Sequence, residues 1–114
     1  VMVILFFAAL FYMVPAHAAE RLCGTASFYS YESGTVTASG ERFNPNALTA
    51  AMPSRKHLGE RWRVTAGHRS VVVRGNDYGP AKRLHRIADL SRAAFAQLAP
   101  LAYGTLKVCM ERLK

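Results

Sequence analysis

Beyond residue 20 the chain alternates apolar and polar positions in short runs that predict strands. Residues 24–31 (GTASFYSY) are rich in aromatic and β-favouring types and predict a first strand. Residues 33–46 are punctuated by Gly34, Gly40, Asn44, Pro45 and Asn46, the composition of a long ordered loop. An apolar stretch follows at 47–52, then a polar, turn-like one at 53–60. Residues 61–66 set Trp62 and Val64 against Arg61, Arg63 and Thr65, the pattern of a half-buried strand. Gly67 and His68 predict a tight turn, and residues 70–74 (SVVVR) predict a strand buried on both faces. Residues 76–80 (NDYGP) are expected to break that strand sharply. Another short strand is predicted at 87–90. Ser91 then caps a single helix over 92–98 that Pro100 closes. Tyr103 and Gly104 turn the chain into a last strand at 106–110. Many short strands with one short helix predict an all-β fold, a small closed barrel without exposed edges.

The start of the chain has a different pattern. Residues 1–14 are almost wholly apolar, and Pro15 and Ala16-His17-Ala18 follow. An apolar run ending in an A-x-A site predicts a cleaved signal peptide over 1–18 and one domain over 19–114, although no Lys or Arg precedes the run. Fourteen helical residues span about 21 Å, short of a ~30 Å hydrocarbon core. An uncleaved anchor or a core helix are the other readings of this segment. The expected location is the periplasm or the medium, with no stable membrane insertion after cleavage.

Charge then narrows the partners. Fifteen Lys and Arg against seven Asp and Glu give a formal charge of +8, none of it in residues 1–18. Such a surface suits nucleic acid, acidic lipid or an anionic wall polymer. Export favours the wall polymer and removes nucleic acid. Cys23 and Cys109 lie near the two ends of the expected domain, and in an oxidising compartment a bridge between them would be worth roughly 4–5 kcal/mol. Two free thiols, or a lipidated Cys23, are the alternatives, and Leu22 is too large for a lipidation site. His57, His68 and His85 have no metal-ligand spacing with the cysteines, and neither a phosphate loop nor a Gly-x-Ser-x-Gly elbow is present. No metal and no cofactor are expected, and the domain is expected to act as a monomer.

Three blocks carry a resemblance. They are Thr37-Ala38-Ser39-Gly40-Glu41-Arg42-Phe43 with Leu48-Thr49-Ala50-Ala51, then Ser70-Val71-Val72-Val73-Arg74 with Asn76-Asp77-Tyr78-Gly79-Pro80, then Ala88-Asp89-Leu90-Ser91. With the opening Gly24-Thr25-Ala26-Ser27-Phe28-Tyr29, their order and spacing resemble the rare lipoprotein A family from about Gly24 to Met110. The resemblance implies a six-stranded double-psi β-barrel, a fold shared with expansins. It also implies an endolytic lytic transglycosylase that cuts peptidoglycan glycan strands and leaves 1,6-anhydromuramoyl ends.

Such a reaction needs one carboxyl that protonates the glycosidic oxygen and later takes a proton from the C6 hydroxyl. The resemblance places Asp77 in that role and Glu41 beside it, and the two are expected to line one groove. An Asx-turn role for Asp77 and an exposed loop charge for Glu41 are the plain alternatives. Tyr29, Asn44, Arg74, Asn76 and Tyr78 are the candidate substrate contacts, and Tyr31 could also stack on a sugar ring, although core packing suits the tyrosines equally and Asn44 reads as ordering its loop. Arg74, Lys82, Arg83 and Arg86 flank the motif as further cations. Asp89, just before the helix, is read as structural, a carboxylate ordered by backbone amides. Two positions depart from the family: Asn44 stands where many relatives have Asp, and Met52 where they commonly have His. An expansin-like module that grips glycan without cutting it is therefore the alternative function.

Overall fold

The structure is a computed structural model and describes residues 20–29, 36–79 and 85–113. The expected signal segment, Tyr31, Lys82 and Arg83 lie outside those residues. Six strands form: β1 (Arg21–Phe28), β2 (Thr49–Met52), β3 (Arg61–Ala66), β4 (Arg69–Tyr78), β5 (Arg86–Leu90) and β6 (Thr105–Arg112). They close into a barrel in the order β1-β5-β2-β4-β3-β6. The β1/β5 and β2/β4 pairs are parallel and the remaining four are antiparallel. Alternation sends Ala26, Ala50, Met52, Trp62, Val64, Val73, Ala88, Leu90, Val108 and Met110 inward, where all are buried. A single helix, α1 (Arg92–Leu98), contributes Ala94, Phe95 and Leu98 to the same core, with Phe95 packed 4.9 Å from the ring of Phe28.

Several elements form as their residues predict. β3 spans the six residues of the Trp62/Val64 alternation, and Gly67, at φ 62°, turns it into β4. Ser91 caps α1 by accepting from the amide of Ala94 at 3.2 Å. Cys23 and Cys109 face one another across the β1/β6 ladder and are joined by a disulfide.

Two expectations fail in an instructive way. β1 begins at Arg21 and ends at Phe28, because its ladder with β6 starts at the Arg21–Glu111 pair. β4 does not break at Asn76 but runs on to Tyr78, and it is not buried on both faces, since Ser70 and Arg74 are exposed. The continuation is made by a bulge. In the β2/β4 ladder Ala50 pairs with Gly75 and Ala51 with Asp77, so Asn76 is the extra residue on β4. Gly75 is required there, because a Cβ would sit 2.6 Å from the carbonyl oxygen of His57.

Candidate active site

The bulge decides where Asp77 lies. Asp77 pairs with Ala51 on β2, Ala51 with Asp89 on β5, and Asp89 with Ser27 on β1, so the four form one row across four strands. Their neighbours Ala50, Ala88, Leu90 and Ala26 point into the core, which turns Ala51, Asp89 and Ser27 to the outer face. The small side chain of Ala51 therefore lies between two carboxylates whose strands are about 10 Å apart, two strand spacings.

Asp89 is held by side chains. The Ser27 hydroxyl donates to its Oδ1, and the Arg86 Nε lies 3.1 Å from the same oxygen. The expected backbone amides at the helix start are taken by Ser91 instead, whose hydroxyl also donates to the Ala47 carbonyl. The expectation for Asp89 is corrected on that point: Ser91 accepts from the Ala94 amide, and the Ala93 amide donates to the Pro45 carbonyl.

Asp77 has a different environment. Its Oδ1 accepts from two backbone amides, Ala38 at 3.0 Å and Tyr78 at 2.8 Å. Ala38 belongs to a turn closed on itself by Thr37 N to Glu41 O at 2.9 Å and Gly40 N to Thr37 O at 2.9 Å. Gly40 sits at φ 92°, a conformation a glycine adopts without cost. The Ser39 amide donates to the Asn76 carbonyl at 3.1 Å, so the Thr-Ala-Ser-Gly-Glu turn is docked on the end of β4. Glu41 and Asp77, distant in sequence, are thereby brought to one rim.

Glu41 is a fixed anion. Its two oxygens accept from the Arg74 guanidinium at 2.8 and 2.9 Å, and Oε1 also accepts from the Ser39 hydroxyl at 3.1 Å. Arg74 chiefly, then Ser39 and Asn76, bring its carboxyl down to about 2 despite some opposing desolvation. Asp77 stands apart from every other described acid. Glu20, Glu60, Glu41, Asp89 and Glu111 each lie against an Arg or His side chain, and no cation is paired with Asp77 among the described residues.

The remaining candidates divide. Tyr29 packs its ring 4.7 Å from that of Phe43 and points its hydroxyl at Asn76 Oδ1, 3.5 Å away. Burial, then the charge of Asp77, with smaller contributions from Asp89 and Glu41, pushes the Tyr29 phenol up, so it remains a neutral donor. Asn76 is 1% exposed and lies beneath the rim. Asn44 is exposed and accepts from the Asn46 amide at 2.9 Å, which orders its own loop. Tyr78 is 53% exposed, with the guanidinium of Arg55 stacked 4.9 Å from its ring centroid. Arg55 carried no signal in the sequence beyond its charge.

Met52 points into the core, and His57 is buried against Glu60 and the edge of Trp62 rather than beside Asp77. No cluster of three metal-ligating side chains exists among the described residues. An open cleft of about 570 Å³ lies at the other end of β4, lined by Ala66, Arg69, Leu98, Pro100, Tyr103 and Leu106 among others. No carboxylate lines it.

Comparison with known proteins identifies the family and the fold. The family model described as lytic transglycolase matches residues 21–110. A probable endolytic peptidoglycan transglycosylase RlpA of Nostoc is 47% identical over 95 residues, covering 79% of this chain and 25% of that protein. The endolytic peptidoglycan transglycosylase RlpA of Escherichia coli is 45% identical over 78 residues, covering 66% of this chain and 21% of that protein. The chain thus spans about a quarter or less of the length of these two relatives. Among solved structures, a Streptomyces papain inhibitor superposes with a TM-score of 0.72 at 22% identity, covering 86% of this chain and 98% of that one. A mutant Clavibacter michiganensis expansin in complex with cellohexaose superposes at 0.67 and 19% identity, covering 83% of this chain and 51% of that one. These likenesses establish the fold, the six-stranded double-psi β-barrel.

Proposed function

This chain belongs to the lytic transglycolase family, and from that premise we propose that it cleaves peptidoglycan glycan strands endolytically, with Asp77 as both acid and base. The observation that carries the assignment is the isolation of Asp77 from every described cation. A carboxylate gripped by a guanidinium on both oxygens has neither left for a substrate, whereas Asp77 is held through one oxygen alone. Its Oδ1 is occupied by the Ala38 and Tyr78 amides, which leaves Oδ2 as the oxygen that carries the proton.

In the first step the Oδ2 proton passes to the glycosidic oxygen, the bond to C1 breaks, and the leaving sugar departs as an alcohol. Positive charge develops at C1, and Glu41, ionised and held by Arg74, stabilises it through the field at the rim. In the second step the C6 hydroxyl attacks C1 while its proton returns to Asp77, closing the 1,6-anhydro ring. No water is consumed, and Asp77 ends protonated as it began. Glu41 takes no part as an acid.

Residues 1–18 would act as the export signal, placing a monomeric barrel of residues 19–114 in the periplasm or the medium. The Cys23–Cys109 bond supports an oxidising, extracytoplasmic compartment. No helix among the described residues is long and apolar enough to cross a membrane. Nucleic acid is not a partner in this reading. Mass spectrometry of glycan strands digested by the purified chain tests it: anhydro-ended fragments are expected, and reducing-end fragments one water heavier would replace the lyase with a hydrolase. A glycan-binding role without cleavage is the second reading, favoured by the placement of Met52 in the core, which leaves no described histidine beside Asp77.

A further inference from the structure

The short connection between β2 and β3 carries Arg55 onto the ring of Tyr78, the residue after Asp77. The backbone presenting it is firmly anchored. Ser54 caps the 3-10 turn Arg55–His57 by accepting from the Lys56 amide at 3.3 Å. His57, buried, bonds Glu60 at 2.7 Å and meets the Trp62 ring edge-on at 5.0 Å. The Gly59 amide donates to the Gly75 carbonyl at 2.7 Å, and the Gly75 amide to the Glu60 carbonyl at 2.8 Å. The turn is thus fastened to β4 two residues before Asp77. On the other side of Tyr78, the Gly79 amide donates to the Met52 carbonyl at 3.0 Å.

No described carboxylate is paired with Arg55: Glu20, Glu41, Asp89 and Glu111 each lie against another arginine, and Glu60 lies against His57. The guanidinium lies over the Tyr78 ring, and no described group accepts from its N–H donors, the fork that can take a carboxylate through two parallel bonds. Tyr78 remains more than half exposed beside it, enough to receive the apolar face of a sugar.

We propose that Arg55 and Tyr78 form a subsite that selects glycans bearing carboxylates over neutral ones, with Arg55 as the specificity-determining residue. This inference rests on the reading of the Asp77 rim as a glycan site. Two sources supply the same chemistry, a carboxylate attached directly to the sugar and one on a peptide substituent.

The test measures binding of the full exported chain carrying Asp77→Asn, so that strands stay intact. Four ligands are compared: intact wall glycan, peptide-stripped wall glycan, and each of these after its carboxyls are capped as methylamides. The uncapped form of at least one is expected to bind about tenfold tighter than its capped form, the worth of one charge-assisted fork. The arm showing the preference identifies the source. Adding Arg55→Ala is expected to erase the preference and Arg55→Lys to restore it in part, with unchanged melting temperature. No preference before the change, or one that survives Arg55→Ala, overturns the subsite. Cleavage by the chain with Asp77 intact is scored separately. Preserved cleavage without the preference sinks the subsite alone, and a preserved preference without cleavage sinks the enzymatic reading alone.

Discussion

Glu41 and Arg74 meet in a two-pronged ion pair, with N–O distances of 2.8 and 2.9 Å, although 33 residues separate them. The pair ties the turn that bonds Asp77 to the outer face of β4. It also gives the two acids different surroundings, since Glu41 is held as an anion by Arg74 while no described cation is paired with Asp77.

The pH dependence of the pair follows from its sign. The Glu41 carboxyl is lowered from 4.5 to about 2 on folding, chiefly by Arg74. Its contribution to stability is present above the unfolded value and is lost as pH falls from 4.5 toward 2. Glu41→Gln is therefore expected to flatten the melting temperature in that acid window. It is also expected to lower the cleavage rate without reshaping the pH–rate profile near neutrality, because Glu41 does not titrate there. Thermal melts and initial rates across pH check both; a moved acidic limb would make Glu41 the acid.

Asp77→Asn preserves both hydrogen bonds at Oδ1, because an amide oxygen accepts from the Ala38 and Tyr78 amides as a carboxylate does. Cleavage is expected to fall by about 10² or more with glycan binding and melting temperature retained. Turnover and pull-down on the same preparation measure this. Cleavage at the wild-type rate would move the acid elsewhere.

Gly75→Ala places a methyl 2.6 Å from the His57 carbonyl, against backbone that cannot yield as a side chain would. A loss of about 1–3 kcal/mol in urea unfolding is expected. The bulge beside it should shift, so the rate should drop together with stability, whereas the exposed Arg42→Ala should leave stability within about 0.5 kcal/mol.

Replacing Cys23 and Cys109 together by Ser removes a link between the first and last strands. About 4–5 kcal/mol of stability is expected to be lost, the chain-entropy worth of so long a loop. The barrel should still close, because Arg21 to Ser27 pair with Glu111 to Thr105 through their backbones. Circular dichroism and urea titration of the variant report the two effects apart.

What the sequence determined by itself was local or carried by motif. Trp62 and Val64 alternate with polar residues, and β3 follows from that pattern alone. Ser91 stands where its hydroxyl must meet the free amides of α1. The motif blocks marked Glu41 and Asp77 and implied the barrel. The rest was decided by register between distant strands. Asn76-Asp77-Tyr78-Gly79-Pro80 reads locally as a break, yet β4 continues because β2 pairs with it on both sides of a bulge. Only that register sets Asp77 in the row with Ala51 and Asp89. Arg74 is a candidate substrate contact by sequence, and the fold adds that Glu41 holds its fork; Arg55 carries no local signal beyond its charge, and only the fold lays it on Tyr78. Short-range patterns fix which face of a strand is apolar. Which charged groups face each other across the rim depends on ladder pairings dozens of residues apart, and the closed barrel supplies those.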